Sequence, residues 1–424
     1  MNLVQLTPGA GAMYCGNCFR DNALVAELRR QGHDTLMLPL YLPMTLDEPD
    51  QSASSPLFFG GINVYLQQRS ALFRHTPGWI RAWLSSPRLL RWATGKAAKT
   101  RASDLGELTL SMLRGEEGRQ ARELDELIGW LRAQPKPDAV FLSNALLLGM
   151  ARRLGSDLGC PVVCMLQGED DFVDAMGSPF REECWREMSL RAREVHRFIA
   201  ASVYFGNRMA ERLSLSSAQL RVVSNGILLD GYDPSPSAQG ASPPVLGFFA
   251  RMCPEKGLDR LIDAYLLARR DVPGLRLKVG GSCGPGDEPF VGKLRARLSD
   301  EGAMESVEFH PNLDRNAKIR FLQSLSFFSV PAQYSEAFGL YLVEAMAAGV
   351  PVVQPRHCAF PEIVERSGGG IITENTTEAL AEGYVRVASD VEWRRRLSVQ
   401  AAEGARREFS VEAMARGILQ AIAS

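Results

Sequence analysis

Short apolar runs alternate with longer amphipathic stretches along most of the chain. Residues 3–7, 34–38, 139–142, 162–166, 198–201 and 221–223 read as strands, with helical patterns such as 17–31 between most of them. The rhythm restarts with strands at 245–250, 275–280, 307–310, 327–330 and 352–354. Strand runs separated by helical patterns signal parallel sheets with crossover helices. Two helical patterns close the chain, 391–407 and 411–423, with Ser410 as the N-cap of the last.

Two such blocks in 424 residues predict two domains. Residues 233–244 form the stretch richest in Pro, Ser and Gly, which places the boundary there. The expected division is a first domain over 1–232, a second over 245–407 and a last helix over 408–424. Segment 74–132 breaks the rhythm: Trp79, Trp83 and Trp92 mix with Arg81, Arg88, Arg91, Lys96, Lys99 and Arg101. It reads as a helical insertion in the first domain, either a helical lid or a satellite of the core, or a surface for a glycan or lipid-linked acceptor.

Composition narrows the function classes. The formal net charge is −1, so no bulk attraction to nucleic acid or anionic membrane follows. No apolar run reaches the roughly 18 residues of a spanning helix, and the first residues lack a basic leader region. The expectation is a cytoplasmic protein, with peripheral contact at the inner face of the membrane as the variant. Eight irregularly spaced cysteines fit reduced thiols better than a disulfide framework. Cys15 and Cys18 form a Cys-x-x-Cys at a helix start, open to three readings: thiols lining a loop, a redox pair, or half a zinc site.

Three constellations in the second half carry chemistry. In the first, Ser335 to Pro351, Glu336 sits in a turn and Glu344 on the helix that follows. Eight residues of helix cover at most roughly 12 Å, a spacing that suits the two polyols of a nucleotide sugar. Gly339 leaves the helix N-terminus open to an anion, and each carboxylate accepts hydroxyl hydrogen bonds. In the second, a strand delivers Arg251 to its C-terminal end and a loop carries Lys256, a fork and a point charge fit for a diphosphate. The third is the Ser224-Asn225-Gly226 turn at the domain junction.

With Phe360-Pro361-Glu362-Ile363-Val364, these motifs resemble the retaining GT-B glycosyltransferases of family GT4. The first half resembles the family more loosely, through Gly9-Ala10-Gly11 and Gly32-His33-Asp34. The resemblance implies an α/β fold of two doubly wound Rossmann-like domains facing an interdomain cleft. The first domain would bind the acceptor and the second the donor, with the last helix crossing back to the first. Glu344 would accept the ribose hydroxyls and Glu336 would face the donor sugar. Arg251 and Lys256 would contact the diphosphate. Phe338, Gly339 and Leu340 would offer backbone N–H groups, Gly280 and Gly281 would lie near base or ribose, and Asn225 would line the donor site. The donor would be a UDP-, GDP- or ADP-sugar acting as co-substrate, and the acceptor a glycan, a lipid-linked sugar or a small molecule.

On the acceptor side, Gly9, Gly11, Gln167, Glu169 and Asp170 are the candidates, with His357 as a further residue of the sugar pocket. Family members often carry histidine where this chain has Gln167. Glu169-Asp170-Asp171 is the nearest acidic cluster to a metal site, and metal-free transfer with no resident cofactor is expected. His310, between a strand and Pro311, reads as packed. The rival readings are a non-catalytic nucleotide-sugar-binding protein and a sugar-nucleotide epimerase on the same fold. Oligomeric state is not written in the sequence.

Overall fold

The computed structural model describes residues 1–9, 16–44, 46, 48–53, 55–59, 105–235 and 242–423. The chain divides into two compact units, Met1–Val223 with Met414–Ser424, and Ser224–Ala413.

The first unit holds a six-stranded sheet in the order β2-β1-β3-β4-β5-β6, with every pairing parallel. Its strands are β1 (Asn2–Thr7), β2 (Asp34–Pro39), β3 (Ala139–Leu142), β4 (Val162–Leu166), β5 (Arg197–Ala200) and β6 (Leu220–Val222). β3 and β4 are buried at every position. That is why they read as unbroken apolar runs: a parallel sheet covered on both faces has no polar side to alternate with.

The second unit repeats the plan in the order β12-β11-β10-β7-β8-β9, again all parallel. Its strands are β7 (Val245–Phe249), β8 (Arg276–Gly281), β9 (Val307–Pro311), β10 (Phe327–Phe328), β11 (Val352–Pro355) and β12 (Gly370–Thr373). The sequence reading lacked β12. This edge strand is only half-buried and opens on a glycine, so its apolar signal is weak.

Two other expectations change. The units divide after Val223, ten residues before the Pro/Ser-rich stretch. Packing places the intervening segment with the second unit: Ile227 bridges Ser410, and the Tyr232 hydroxyl donates to Glu344 at 3.0 Å. The expected insertion 74–132 lies outside the described residues up to 104. Beyond that it is part of the fold: helix Ala121–Arg132 buries Leu124, Leu127, Ile128 and Leu131 and stands between β2 and β3 in the chain. The last helix, Val411–Ala423, is capped by the Ser410 hydroxyl, and its residues from Met414 on cluster with the first unit.

Each sheet reverses its winding direction once, between β1 and β3 in the first unit and between β7 and β10 in the second. Open α/β sheets bind ligands outside the carboxyl ends of the strands at such a reversal.

Candidate active site

In the second unit the polar side chains gather beyond the ends of β7 and β10. The loop after β7 turns through Pro254–Lys256, and the backbone N–H of Gln333 donates to the Glu255 carbonyl at 3.0 Å. That bond ties the loop to the segment following β10. Lys256 thereby meets Glu336, with Nζ 2.7 Å from Oε2. Tyr341 donates its hydroxyl to the same oxygen at 2.8 Å and Tyr334 at 3.2 Å. Lys256 also bonds the Tyr334 hydroxyl and lies over both rings, 4.6 Å and 5.2 Å from their centroids. Cation–π attraction and the carboxylate together fix the ammonium. Burial, reinforced by the Glu336 charge, pushes Tyr341 well above the usual phenol range, so it remains a hydrogen-bond donor.

Glu344 is held in the same style. Lys318 on helix Arg315–Gln323 stands 2.7 Å from its Oε1, and Tyr232 donates to that oxygen at 3.0 Å. Each glutamate is thus clamped through one oxygen by a lysine and by tyrosine, two hydroxyls at Glu336 and one at Glu344. The second oxygen, Oε1 of Glu336 and Oε2 of Glu344, takes no donor from the described residues. All four partners in the two ion pairs keep 13–19% of their side-chain surface exposed.

Helix Leu340–Ala347 carries Glu344 and starts between the two glutamates, from an N-cap at Gly339 with φ 103°. That left-handed value favours glycine, and it ends the loop so that the first N–H groups of the helix carry no side-chain cap. Phe338 turns its ring inward onto Phe409, centroids 5.8 Å apart, which leaves its backbone as the group a ligand can use. Arg251, beyond β7, pairs with Asp287 at 2.9 Å, and these hydrogen bonds raise the guanidinium further above its usual range. Gly281 lies at φ 127°, where a Cβ would collide with the Ala250 carbonyl, so the end of β8 can pass β7 only without a side chain. Gly280 is similarly closed in by the Phe249 ring.

In the first unit, Thr7 ends β1 and Ser143 follows β3. Both donate their hydroxyls to Asp21 Oδ2, at 2.8 Å and 2.6 Å. Arg20 bonds the other Asp21 oxygen and the Ser143 carbonyl. All four residues are buried. After β4, Glu169 accepts from the backbone N–H of Gln167 at 2.6 Å and of Ala145 at 2.9 Å. Burial raises its carboxyl, against the pull of those N–H groups. Asp170 is fully buried against Arg208. Glu169 and Asp170 therefore shape the turn and the helix packing from inside, where the sequence suggested open ligand groups. Among the described residues no three His, Cys, Asp or Glu side chains form a metal-like group, and no helix is long and apolar enough to cross a membrane.

Residues 234–404 match the family model for glycosyl transferases group 1, and residues 106–230 match that for glycosyltransferase family 4. The chain belongs to the GT4-like glycosyltransferases. Over the whole chain this glycosyltransferase superposes on Anabaena Alr3699/HepE, solved in complex with UDP and glucose, with a TM-score of 0.67 at 19% identity and 100% coverage of both chains. The shared architecture is the GT-B fold. It is 33% identical over 183 residues to a D-inositol 3-phosphate glycosyltransferase of Mycobacteroides abscessus, covering 40% of each chain. It is 30% identical over 220 residues to the exopolysaccharide phosphotransferase SCO2592 of Streptomyces coelicolor, covering 51% of this chain and 22% of that one. The glycosyltransferase thus spans well under half the length of these curated relatives.

Of the expected site residues, the structure of this glycosyltransferase joins Lys256 to Glu336 directly, and helix Leu340–Ala347 connects that cluster to Glu344. His357 reaches the same neighbourhood, sharing a 3.1 Å hydrogen bond with the Tyr334 carbonyl. Asn225 is buried in the second unit. Gly9 follows β1 and abuts the Leu42 backbone, while Gly11 and Cys15 lie outside the described residues. Cys18 is buried. His310 packs edge-on to Phe321 and shares a 3.1 Å hydrogen bond with Glu308. Sequence reasoning missed Tyr232, Asp287, Lys318, Tyr334 and Tyr341. Only the two tyrosines flanking the Glu336 motif carried a signal, since both lie within five residues of it.

Proposed function

We propose that this glycosyltransferase moves a sugar from a UDP-, GDP- or ADP-linked donor to a glycan, lipid-linked or small-molecule acceptor, with retention at the anomeric carbon. The observation that carries the reading is the pair of clamped glutamates flanking an uncapped helix N-terminus. A carboxylate fixed through one oxygen by a lysine and a tyrosine hydroxyl, with the other oxygen unclaimed by the described residues, suits the acceptance of hydrogen bonds from vicinal hydroxyls.

In this reading Glu344 takes the ribose hydroxyls and Glu336 the donor sugar. The diphosphate lies between them, on the N–H groups of Phe338, Gly339 and Leu340, with Arg251 and Lys256 alongside. Negative charge grows on the diphosphate as the anomeric C–O bond breaks. Fixed positive groups stabilise that charge most where water is scarce. Lys256 is prepositioned for this work by two rings and a carboxylate. The acceptor hydroxyl attacks from the face the diphosphate leaves, and a donor phosphate oxygen takes its proton. The first unit presents the acceptor beyond β1, β3 and β4, where Gly9 and Gln167 lie. No step requires a divalent ion.

The test is turnover of nucleotide sugars with and without acceptors, in buffer containing a strong chelator. Release of nucleoside diphosphate coupled to sugar transfer supports the proposal. Tight donor binding without turnover would favour a non-catalytic binder. Complete loss of activity under chelation, restored by a divalent ion, would refute the metal-free mechanism.

A further inference from the structure

Arg251 and Asp287 differ sharply in how they are held. The Arg251 side chain is 62% exposed, and the Asp287 side chain only 10%. Asp287 is pinned by the chain around it. Its Oδ2 accepts from the Gly284 N–H at 3.1 Å, and its carbonyl accepts from Phe290 and Val291 at the start of helix Glu288–Asp300. A long, exposed side chain is therefore anchored to a short, immobile one. The pair also joins two strand ends, since Arg251 follows β7 and Asp287 lies beyond β8.

The edge of the guanidinium that Asp287 occupies matters. Nε lies 3.2 Å from both carboxylate oxygens, and Nη2 lies 2.9 Å from Oδ1. The Nε/Nη2 edge is taken. The Nη1/Nη2 edge, the other pair of parallel donors, meets no acceptor among the described residues. An arginine has donors enough for two bidentate acceptors on different edges.

We propose that Asp287 is a positioning residue for the donor diphosphate: it holds Arg251 by one edge so that the other presents a ready fork to a phosphate. The inference rests on the reading of Arg251 as a diphosphate ligand. Asp287 itself touches no substrate. Its contribution is preorganisation, because an arginine already fixed in its binding rotamer loses less freedom when the phosphate arrives. An opposing effect exists, since the Asp287 carboxylate repels the diphosphate across the guanidinium. That repulsion acts over a longer distance than the hydrogen bonds, through a solvent-exposed group, and is screened. Preorganisation wins.

The test uses the full chain and measures affinities for uridine, guanosine and adenosine diphosphates and for the matching nucleosides. The variants are Asp287→Asn, Arg251→Ala and the double substitution. Asparagine keeps an acceptor for the Gly284 N–H, and a melting curve checks that the helix start survives. Asp287→Asn should weaken binding of the preferred diphosphate about fivefold, leave the nucleoside unchanged, and have no further effect in the Arg251→Ala background. Tighter diphosphate binding, equal loss for nucleoside and diphosphate, or full additivity with Arg251→Ala would each overturn the proposal. If Arg251→Ala weakens the diphosphate and Asp287→Asn does not, Asp287 alone is misassigned. If Arg251→Ala changes nothing, or no diphosphate binds, the reading of the donor site fails first.

Discussion

Where the first sheet reverses, Thr7, Asp21, Ser143 and Arg20 bond one another and are closed to solvent. Where the second sheet reverses, Lys256, Glu336, Lys318 and Glu344 pair in twos, stay partly open, and leave one carboxylate oxygen of each pair unclaimed by the described residues. The same topological position is thus used in two ways. The closed network pairs most of its donors and acceptors with one another, with the buried Arg20 Nη1 left over, and supports the fold. An open network keeps capacity in reserve for a ligand. Buried polar groups are costly unless satisfied. Polar character at a strand end therefore does not by itself mark a site; what remains unsatisfied and reachable does.

That contrast can be broken by mutation. The largest expected effect is on stability in the first unit. Asp21→Ala removes the carboxylate that pairs, among the described residues, with a guanidinium that is 1% exposed. Breaking a buried pair from one side costs about 3–5 kcal/mol. Chemical denaturation should show that loss, while nucleoside diphosphate affinity in the remaining folded protein stays at the wild-type value. A matching fall in nucleotide affinity would erase the distinction between the two networks.

Next in size is Lys256→Ala in the open network. Removing one fixed positive group from developing charge lowers turnover by roughly 10²–10³-fold. Steady-state kinetics should find that drop with a smaller change in melting temperature than Asp21→Ala gives. Near wild-type turnover would show that the lysine serves only Glu336 and the two rings.

A smaller effect concerns pH. Burial raises the Glu169 carboxyl from the ordinary value of 4.5. The folded state then holds its proton more tightly than the unfolded state. Stability from this group is complete at low pH and declines as pH climbs from about 4.5 through the raised folded value. Glu169→Gln should flatten that decline at pH values above the ordinary 4.5 in denaturation experiments. An unchanged slope would mean that Glu169 is not the titrating group.

Much of the fold was legible because two-sided burial writes itself as apolar runs, as in β3 and β4. The half-buried β12 left no such trace. The unit boundary misled because loop composition marks where a chain can bend, while packing decides which side a segment joins. Tyr232 joins the second unit by reaching Glu344, 112 residues away. The site divides along the same line. Glu336, Gly339 and Glu344 share one short motif, and Lys256 sits in another. Lys318 and Asp287 find their partners 26 and 36 residues away. No local spacing announces either pairing, and each becomes visible only when the strand order is known.

The most direct test of the donor site compares Glu344→Ala with Glu336→Ala, reading nucleoside diphosphate affinity and donor turnover on the same preparations. Charged hydrogen bonds are worth about 1.5–3 kcal/mol each. Glu344→Ala should therefore weaken the nucleotide by about tenfold or more, whereas Glu336→Ala should spare nucleotide affinity and depress turnover. Wild-type affinity and turnover in both variants would contradict the account.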